Sequence, residues 1–143
     1  MKYKAWLVAK GYSQEVGFDY DKTYISIVRI EHVHILFAFA TFFNLPVIHL
    51  NTKNTFLHGE SDFAIYIQQP PGFESKAHPK ALFLLLKSLY GLKQAARIWY
   101  LALYDAVIDR SIVSSEFNAC IFISRTLNIL LTIYIDDILV MGS

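Results

Sequence analysis

The sequence predicts an α+β fold in which two helices accompany an antiparallel sheet, and three observations support this prediction. Short runs of β-branched and aromatic residues recur between turn residues, which is the pattern of strands. Two longer stretches, 31–43 and 88–110, carry apolar residues at helical spacing. Near the C-terminus, two adjacent carboxylates split the apolar run LNILLTIYIDDILVMGS (127–143), which indicates a hairpin. Strands interleaved with two helices are typical of the α+β class.

The first half of the chain predicts two strands and one helix. In KYKAWLVAKGYSQ (2–14), small or apolar residues alternate with basic or larger ones, which predicts a strand with a partly basic face. Segment 17–29 is rich in turn residues and then extended. Residues 31–43 are apolar nearly all round, so they predict a buried helix that ends before the proline at position 46. A short strand at 47–52 leads into a polar loop.

The second half predicts a helix and further strands. Strands are expected at 64–68, which Pro-Pro-Gly closes, and at 81–86. From Ser88 the apolar period changes to that of an amphipathic helix, which is expected to reach about Arg110. A strand at 119–124 then precedes the hairpin, whose strands are expected up to Ile135 and from Ile138. Because repeats and low-complexity tracts are absent from the sequence, we expect one domain over residues 1–143.

Composition limits the class of protein. The chain has 143 residues, of which 55% are hydrophobic and 15% aromatic, so we expect apolar faces that need a cover from outside the chain. The net charge of +1 gives no argument for a nucleic-acid partner. The single cysteine, Cys120, excludes an internal disulfide and a cysteine-based zinc site, and it fits a reducing compartment. The most apolar window, 35–50, is shorter than the ~20 residues of a spanning helix, so we expect no membrane span.

Asp136 and Asp137 are the residues with the clearest chemical meaning. Adjacent carboxylates repel each other, so a half-buried pair needs a cation, hydrogen-bond donors or a raised pKa. Mg²⁺ prefers oxygen ligands and is commonly held by one or two carboxylates together with substrate phosphates. Asp-Asp also makes a good turn without any ligand. Spacing alone therefore leaves two interpretations open, a metal site and a plain turn.

The chain contains four segments in a fixed order, TKNTFLHGE, QQPPGFE, LKSLYGLKQAARIWY and YIDDILVMGS. Together they resemble the reverse transcriptase domain of copia-type retrotransposon Pol polyproteins, and the resemblance extends back to KAWLVAKGYSQ and GFDYDKTY. It implies a partial right-hand polymerase, with fingers, palm, and an antiparallel palm sheet packed on helices. It also implies that residues 1–143 are a fragment of this domain that stops before the thumb and lacks the RNase H portion of the polyprotein.

The resemblance further implies RNA-directed DNA synthesis with two Mg²⁺ ions roughly 3.5–4 Å apart. The implied partners are an RNA or DNA template-primer and deoxynucleoside triphosphates, and no membrane; an expressed copy is expected inside the cell, in a cytoplasmic particle or the nucleus. Asp136 and Asp137 match the catalytic, metal-binding pair, and Asn51 occupies the position of the family's first catalytic aspartate. Six more positions match or neighbour nucleotide- or template-binding residues: Phe56, which would exclude the ribose 2′-hydroxyl, Gly91, which would admit nucleotide and template, and Lys93, Gln94, Arg97 and Lys4.

Two departures from the family pattern bear on activity. Asn51 keeps the shape of aspartate but lacks its charge, and a neutral amide is a poorer ligand for two divalent ions. Trp6 stands where the family has an arginine for the triphosphate, and indole makes no bidentate phosphate contact. The sequence therefore predicts impaired Mg²⁺ binding and an inactive copy of the enzyme. One alternative is an enzyme fragment that is active only when joined to its missing parts. The others are a relic that only binds nucleic acid or is not translated, and an unrelated α+β binding domain with a coincidental Asp-Asp turn.

Overall fold

The computed structural model describes residues 3, 5–108, 110 and 112–142. The chain folds into two compact units, each made of two separate segments. The first unit comprises Met1–Tyr24 and Phe56–Trp99, and the second comprises Ile25–Thr55 and Tyr100–Ser143. Each unit is therefore assembled from parts of the chain that are distant in sequence.

The second unit is built around an antiparallel sheet of five strands. In chain order these are β1 (Val47–Asn51), β4 (Val113–Ser114), β5 (Ile121–Ser124), β6 (Ile129–Tyr134) and β7 (Asp137–Gly142). Their order across the sheet is β1-β7-β6-β5-β4, so β1 and β4 form the two edges. β6 and β7 form a hairpin that Tyr134 and Asp137 close, and β1 pairs with β7 so that Asn51 lies opposite Asp137. The sheet thus brings the end of β1 to the tip of the hairpin.

Apolar side chains cover both faces of this sheet, because successive residues of a strand point to opposite faces. On one face, Leu36 and Ala40 of helix α1 (Ile30–Phe42) pack against Met141 of β7. On the other face, Val107 of helix α2 (Ala95–Ile108) packs against Phe122 of β5. The central strands therefore lie between α1 and the C-terminal part of α2.

The first unit has a smaller core. A two-stranded antiparallel sheet pairs β2 (Tyr66–Gln68) with β3 (Leu82–Leu84). Buried Ile65, just before β2, packs with Leu92 in the turn before α2 and with Ala95, the first residue of α2. Short 3-10 helices lie at Gly11–Ser13 and at Thr55–Leu57. The unit consists mainly of turns and loops held by side-chain hydrogen bonds.

The structure confirms the α+β class, the antiparallel arrangement and most of the expected strands. The strands expected at 47–52, 64–68, 81–86 and 119–124 are found at similar positions, and those at 64–68, 81–86 and 119–124 are two or three residues shorter. The C-terminal hairpin is also found, with its turn one residue earlier than expected. The short edge strand β4 was not anticipated, because two residues are too few to show an alternating pattern.

Three expectations about elements were wrong. The segment 2–14 was expected to form a strand, but its described residues belong to no strand. Ala9 N donates a backbone hydrogen bond to Tyr90 O. The second helix begins at Ala95 and not at Ser88, because Gly91 has a φ of +90° and interrupts any helix there. α1 is a helix but not a buried one.

The exposure of α1 has a simple geometric cause. Leu36 and Ala40, one turn apart, are its two buried residues, because only one stripe of a helix can face a sheet. Phe42 near its C-terminus is 82% exposed, and Phe43 just beyond the helix is also exposed. Their rings contact each other at a centroid separation of 4.9 Å. These exposed rings agree with the expectation that part of the apolar surface has no cover within the chain.

Candidate active site

The hairpin between β6 and β7 places its two carboxylates in different backbone settings. Ile135 and Asp136 form the turn, whereas Asp137 is already the first residue of β7. Ile135 has a φ of +54°, as the first central residue of a tight two-residue hairpin loop requires. A β-branched residue is strained in this region, at a cost of order 1–3 kcal/mol. The tip of the hairpin is therefore held in its conformation by the flanking ladder.

The side-chain amide of Asn51 lies between the two carboxylates. Asn51 Nδ2 donates to Asp137 Oδ1 at 3.0 Å and to Asp136 Oδ2 at 3.3 Å. The amide oxygen has no proton to offer, so only this orientation of the amide satisfies both acids. The backbone N–H of Thr52 also donates to Asp136 O at 2.8 Å, which fixes the hairpin tip against the end of β1. The predicted meeting of Asn51 with the Asp pair is thus found in the structure, and its catalytic role stays a prediction.

His49 is a member of this cluster that the sequence analysis missed. Its Nε2 lies 2.8 Å from Asp137 Oδ1, and the two side chains are 59% and 42% exposed. His49 precedes Asn51 by two residues on β1, so both point to the same face of the sheet. This alternation would have been sufficient to find it. The hydrogen bond from Asn51, followed by that from His49, lowers the pKa of Asp137 below its ordinary value.

The donor set at this site does not fit a pair of divalent ions. Two ions need carboxylates from two places, and here both acids belong to one hairpin. Asn51 turns its Nδ2 toward one oxygen of each acid, and a donor nitrogen of an amide is not a ligand for a cation. Within the described part of the chain, no group of three or more histidine, cysteine or acidic side chains is placed to hold a metal. Hydrogen bonds from Asn51 and His49 therefore tie the end of β1 to the two acids.

An apolar cavity of about 740 Å³ lies next to the cluster in the second unit. Its lining includes Phe37 of α1, Leu139 of β7, and the side chains of His49 and Asp137. Thr132 also lines it, and its hydroxyl is buried without a hydrogen-bond partner among the described residues. Asp137 therefore contacts Asn51 and His49 on one side and borders an apolar cavity on the other.

Phe56 and Gly91 lie in the first unit, and Tyr90 connects them. The ring of Phe56 contacts that of Tyr90 at 4.8 Å between centroids, and Trp6 meets Tyr90 edge-on at 5.2 Å. A side chain at Gly91 would overlap the carbonyl oxygen of Ala9. The close approach that requires glycine here is therefore made by the chain's own backbone.

Lys93 and Gln94 are tied to the N-terminal segment. Lys93 Nζ donates to Gln14 O at 3.0 Å, and the ammonium lies over the ring of Tyr20 at 5.2 Å. Gln94 is only 4% exposed; it donates to Asp19 O and accepts from the side chain of Gln14. Lys93 and Gln94 thus hold the N-terminal segment by hydrogen bonds, and their contacts with a template stay predictions.

Arg97 is half-buried in the first turn of α2. Lys4 lies outside the described residues. The structure therefore brings together Asn51, Asp136 and Asp137, all of which belong to the second unit.

Comparison with known proteins places this chain in a family. The family model for reverse transcriptase (RNA-dependent DNA polymerase) matches residues 1–143. The chain belongs to the reverse transcriptase family. This family acts on a nucleic-acid template and uses divalent metal ions. The predicted resemblance to a reverse transcriptase is thereby confirmed.

Three of the proteins similar to this chain are transposon polyproteins of plants. The chain is 38% identical to the retrovirus-related Pol polyprotein from transposon RE1 and 37% identical to that from RE2, both of Arabidopsis thaliana. It is 34% identical to the polyprotein from transposon TNT 1-94 of Nicotiana tabacum. Each match covers 99% of this chain but only 10% or 11% of the relative, so the chain spans about a tenth of the length of these polyproteins.

No solved structure matches the chain significantly. In the part of the chain that the structure describes, neither helix is long and apolar enough to cross a membrane.

Proposed function

We propose that this chain is the fingers and palm part of a copia-type reverse transcriptase domain and that this copy does not polymerise. One observation supports the second half of the proposal most directly. The amide of Asn51 donates to both acids of the hairpin, at 3.0 and 3.3 Å, from the position where the family has its first catalytic aspartate. A third carboxylate at this position would repel the pair unless cations lay between them. The asparagine thus satisfies the acids without metal.

The missing carboxylate removes the basis of the family's chemistry. In such polymerases, carboxylates from two places would hold two Mg²⁺ ions, which would supply charge stabilisation for nucleotidyl transfer. The residues of this chain hold the acids by hydrogen bonds from Asn51 and His49 instead. Electrostatic stabilisation is usually the largest part of catalysis, so its loss is severe. We therefore assign the cluster as a former active site.

The second unit corresponds to the palm in this proposal, and parts of the first unit correspond to the fingers. The antiparallel sheet with the Asp pair at a hairpin tip supports the palm assignment. Phe56, packed on Tyr90, is proposed to have selected deoxynucleotides. Gly91, Lys93, Gln94, Arg97 and Lys4 are proposed as the remnant of the nucleotide and template site. The thumb and RNase H parts would belong to the rest of the polyprotein.

A second candidate function is nucleic-acid binding without catalysis. The ring of Trp6, which packs on Tyr90 of the Phe56–Tyr90 pair, favours it, because an exposed ring can stack on bases whatever their sequence. Trp6 is 59% exposed and so has a free face for such contacts. Fluorescence anisotropy with a single-stranded oligonucleotide distinguishes the candidates, since a residual template site predicts binding that Trp6→Ala weakens. An oligonucleotide that binds the Trp6→Ala variant unchanged would remove this second candidate.

The decisive experiment transplants residues 1–143 into an intact polymerase of the same family. The chimera should be inactive in templated DNA synthesis with Mg²⁺ or Mn²⁺. Asn51→Asp alone should restore part of the activity, and Trp6→Arg should add to it, chiefly by lowering the nucleotide KM. Asn51→Ala is the matched control, because it removes the amide without supplying a carboxylate. A chimera that polymerises with Asn51 in place would overturn the proposal.

A further inference from the structure

The loop 69–81, which connects β2 with β3, is organised around one buried side chain. Gln69 is only 9% exposed, and its Nε2 donates to His78 O at 2.9 Å and to Ala81 O at 2.8 Å. Its Oε1 accepts from Ser75 N at 2.6 Å. These hydrogen bonds use most of the capacity of the amide inside the loop. A single side chain therefore holds the backbone of the loop at several points.

Two turns that contain proline make the loop more rigid. Phe73 N donates to Pro70 O at 3.0 Å, and Gly72 has a φ of +84°, as the third residue of a type II turn requires. A second turn, 78–81, closes through a backbone hydrogen bond of 3.1 Å and has proline at its second position. Proline has few conformations to lose on folding. The loop is therefore preorganised, which lowers the entropy cost of binding a ligand.

The loop presents an aromatic ring and cations to solvent. Phe73 is 80% exposed, so its ring takes little part in a core. Three basic side chains of the same loop are also exposed, those of Lys76, His78 and Lys80. The acid of the loop, Glu74, accepts a hydrogen bond from the backbone of the preceding turn through Oε2 at 2.9 Å. Its carboxylate thus has a donor within the loop, whereas the lysines offer their charge to solvent.

We propose that this loop is a contact surface for single-stranded nucleic acid, in which Lys76 and Lys80 bind phosphates and Phe73 stacks on a base. Proteins that bind single strands combine cations along the backbone with aromatic rings on which bases stack. Lys80 follows Lys76 by four residues, so at most roughly 14 Å of chain separates them. The phosphates of one strand recur about every 3.4 Å along a duplex. The two lysines can therefore reach phosphates of the same short stretch of strand.

The chemistry of the loop favours a single strand over two other partners. In a duplex, neighbouring bases cover each other's faces, so the ring of Phe73 would have no base to stack on. An acidic peptide would bind the lysines but offers no base to the ring. The surface belongs to the first unit and shares no residue with the cluster around Asn51. The proposal therefore does not depend on whether this copy polymerises.

Fluorescence anisotropy with a labelled single-stranded oligonucleotide at several salt concentrations tests each contact. All proteins carry Phe42→Ser, which reduces the apolar surface at the end of α1. In this parent protein, log Kobs should fall linearly with the logarithm of the salt concentration. Lys76→Gln combined with Lys80→Gln should reduce the slope by about 1.4, because each phosphate contact of a single strand contributes about 0.7. Phe73→Ser should weaken binding about fivefold or more at every salt concentration and leave the slope unchanged, because stacking releases no counterion.

Two further variants separate the loop from general charge effects. Gln69→Ala keeps the ring and every cation but releases the backbone of the loop, so it should weaken binding without changing the slope. The matched control is Arg110→Gln combined with Arg125→Gln, which removes the same charge from exposed sites of the second unit. This control should keep the slope of the parent protein.

A parent protein that does not bind the oligonucleotide would overturn the proposal. So would equal changes of slope in the two double variants, or a Phe73→Ser variant with the affinity of the parent. Polyglutamate that displaces the label as effectively as unlabelled oligonucleotide would indicate an acidic partner and would also count against it. If the loop variants bind like the parent while Trp6→Ala weakens binding, the loop proposal fails and the second candidate function stands.

Discussion

Replacing Asn51 by aspartate should make the stability of the chain depend on divalent metal. The substitution changes one atom of the side chain, from the amide nitrogen to a carboxylate oxygen. The hydrogen bonds of 3.0 and 3.3 Å to Asp137 and Asp136 are lost, and two repulsions of similar length replace them. Metal ions reverse the sign of both contacts. The variant should therefore be less stable than the natural sequence in chelator and should gain more stability from Mg²⁺ or Mn²⁺.

The magnitude follows from these distances. Two unit charges about 3 Å apart repel by about 1.4 kcal/mol in a medium as polar as water, so two such contacts cost about 3 kcal/mol. Loss of the two hydrogen bonds adds about 1 kcal/mol each at an exposed site. Relaxation of the exposed side chains reduces this sum, and a net loss of about 3 kcal/mol is expected. Asn51→Ala loses the hydrogen bonds but adds no charge, so it should cost only about 2 kcal/mol.

Thermal unfolding with and without Mn²⁺ measures these differences. With EDTA, Asn51→Asp should have the lowest Tm of the three proteins, several degrees below the natural sequence. Millimolar Mn²⁺ should raise the Tm of Asn51→Asp and leave that of Asn51→Ala nearly unchanged, because only the former supplies a third acid. Equal Mn²⁺ stabilisation of all three proteins would refute the reasoning. So would an Asn51→Asp variant that matches Asn51→Ala in EDTA.

Three other predictions concern acid, glycine and solubility. The lowered pKa of Asp137 stabilises the fold at neutral pH, and this stabilisation is lost as the pH falls through the folded-state pKa. In urea unfolding at pH below about 4, the free energy of unfolding should therefore fall more steeply for the natural sequence than for Asp137→Asn. Gly91→Ala should lower the free energy of unfolding by about 3 kcal/mol or more, because the added methyl group would overlap Ala9 O. Gly72 also has a positive φ, +84°, but has open space around it, so Gly72→Ala should cost only about 1 kcal/mol. Equal costs in urea unfolding would contradict this. The isolated chain should be poorly soluble and Phe42→Ser should increase the soluble fraction, whereas a monodisperse monomer of the natural sequence at micromolar concentration would argue against the apolar surface.

The C-terminal hairpin of the sheet could be predicted from the sequence because its pattern lies in neighbouring residues. β6 and β7 are β-branched runs separated by a short polar pair, and that pattern predicts a hairpin without any tertiary knowledge. The meeting of Asn51 with the Asp pair was available only from the family resemblance. No local pattern shows that residues 86 positions apart will pair.

The errors arose where tertiary contacts override local pattern. The alternation in residues 5–10 suggested a strand, but this segment meets the turn at Tyr90 and Gly91 instead of a neighbouring strand. The apolar spacing from Ser88 suggested an early helix start. Leu89 and Leu92 do pack in a core, but they do so from a turn that ends at the helix. The apolar spacing of these residues therefore predicts that they are buried, but it does not predict the backbone conformation in which they are buried.

The pairing of β1 with β7 also sets an order of events during synthesis. Asn51 and Asp137 are separated by 86 residues, so β1 leaves the ribosome long before its partner strand exists. At the usual rate of roughly 5–20 residues per second, the delay is roughly 4–17 s. During that time α1 and β1 carry apolar side chains with no sheet to receive them, and the complete first unit can form only after its second segment, 56–99, has emerged. Rare codons or chaperone binding sites between positions 51 and 137 would therefore act on an unpaired strand, and the last few residues of the hairpin would complete the central sheet in a single late step.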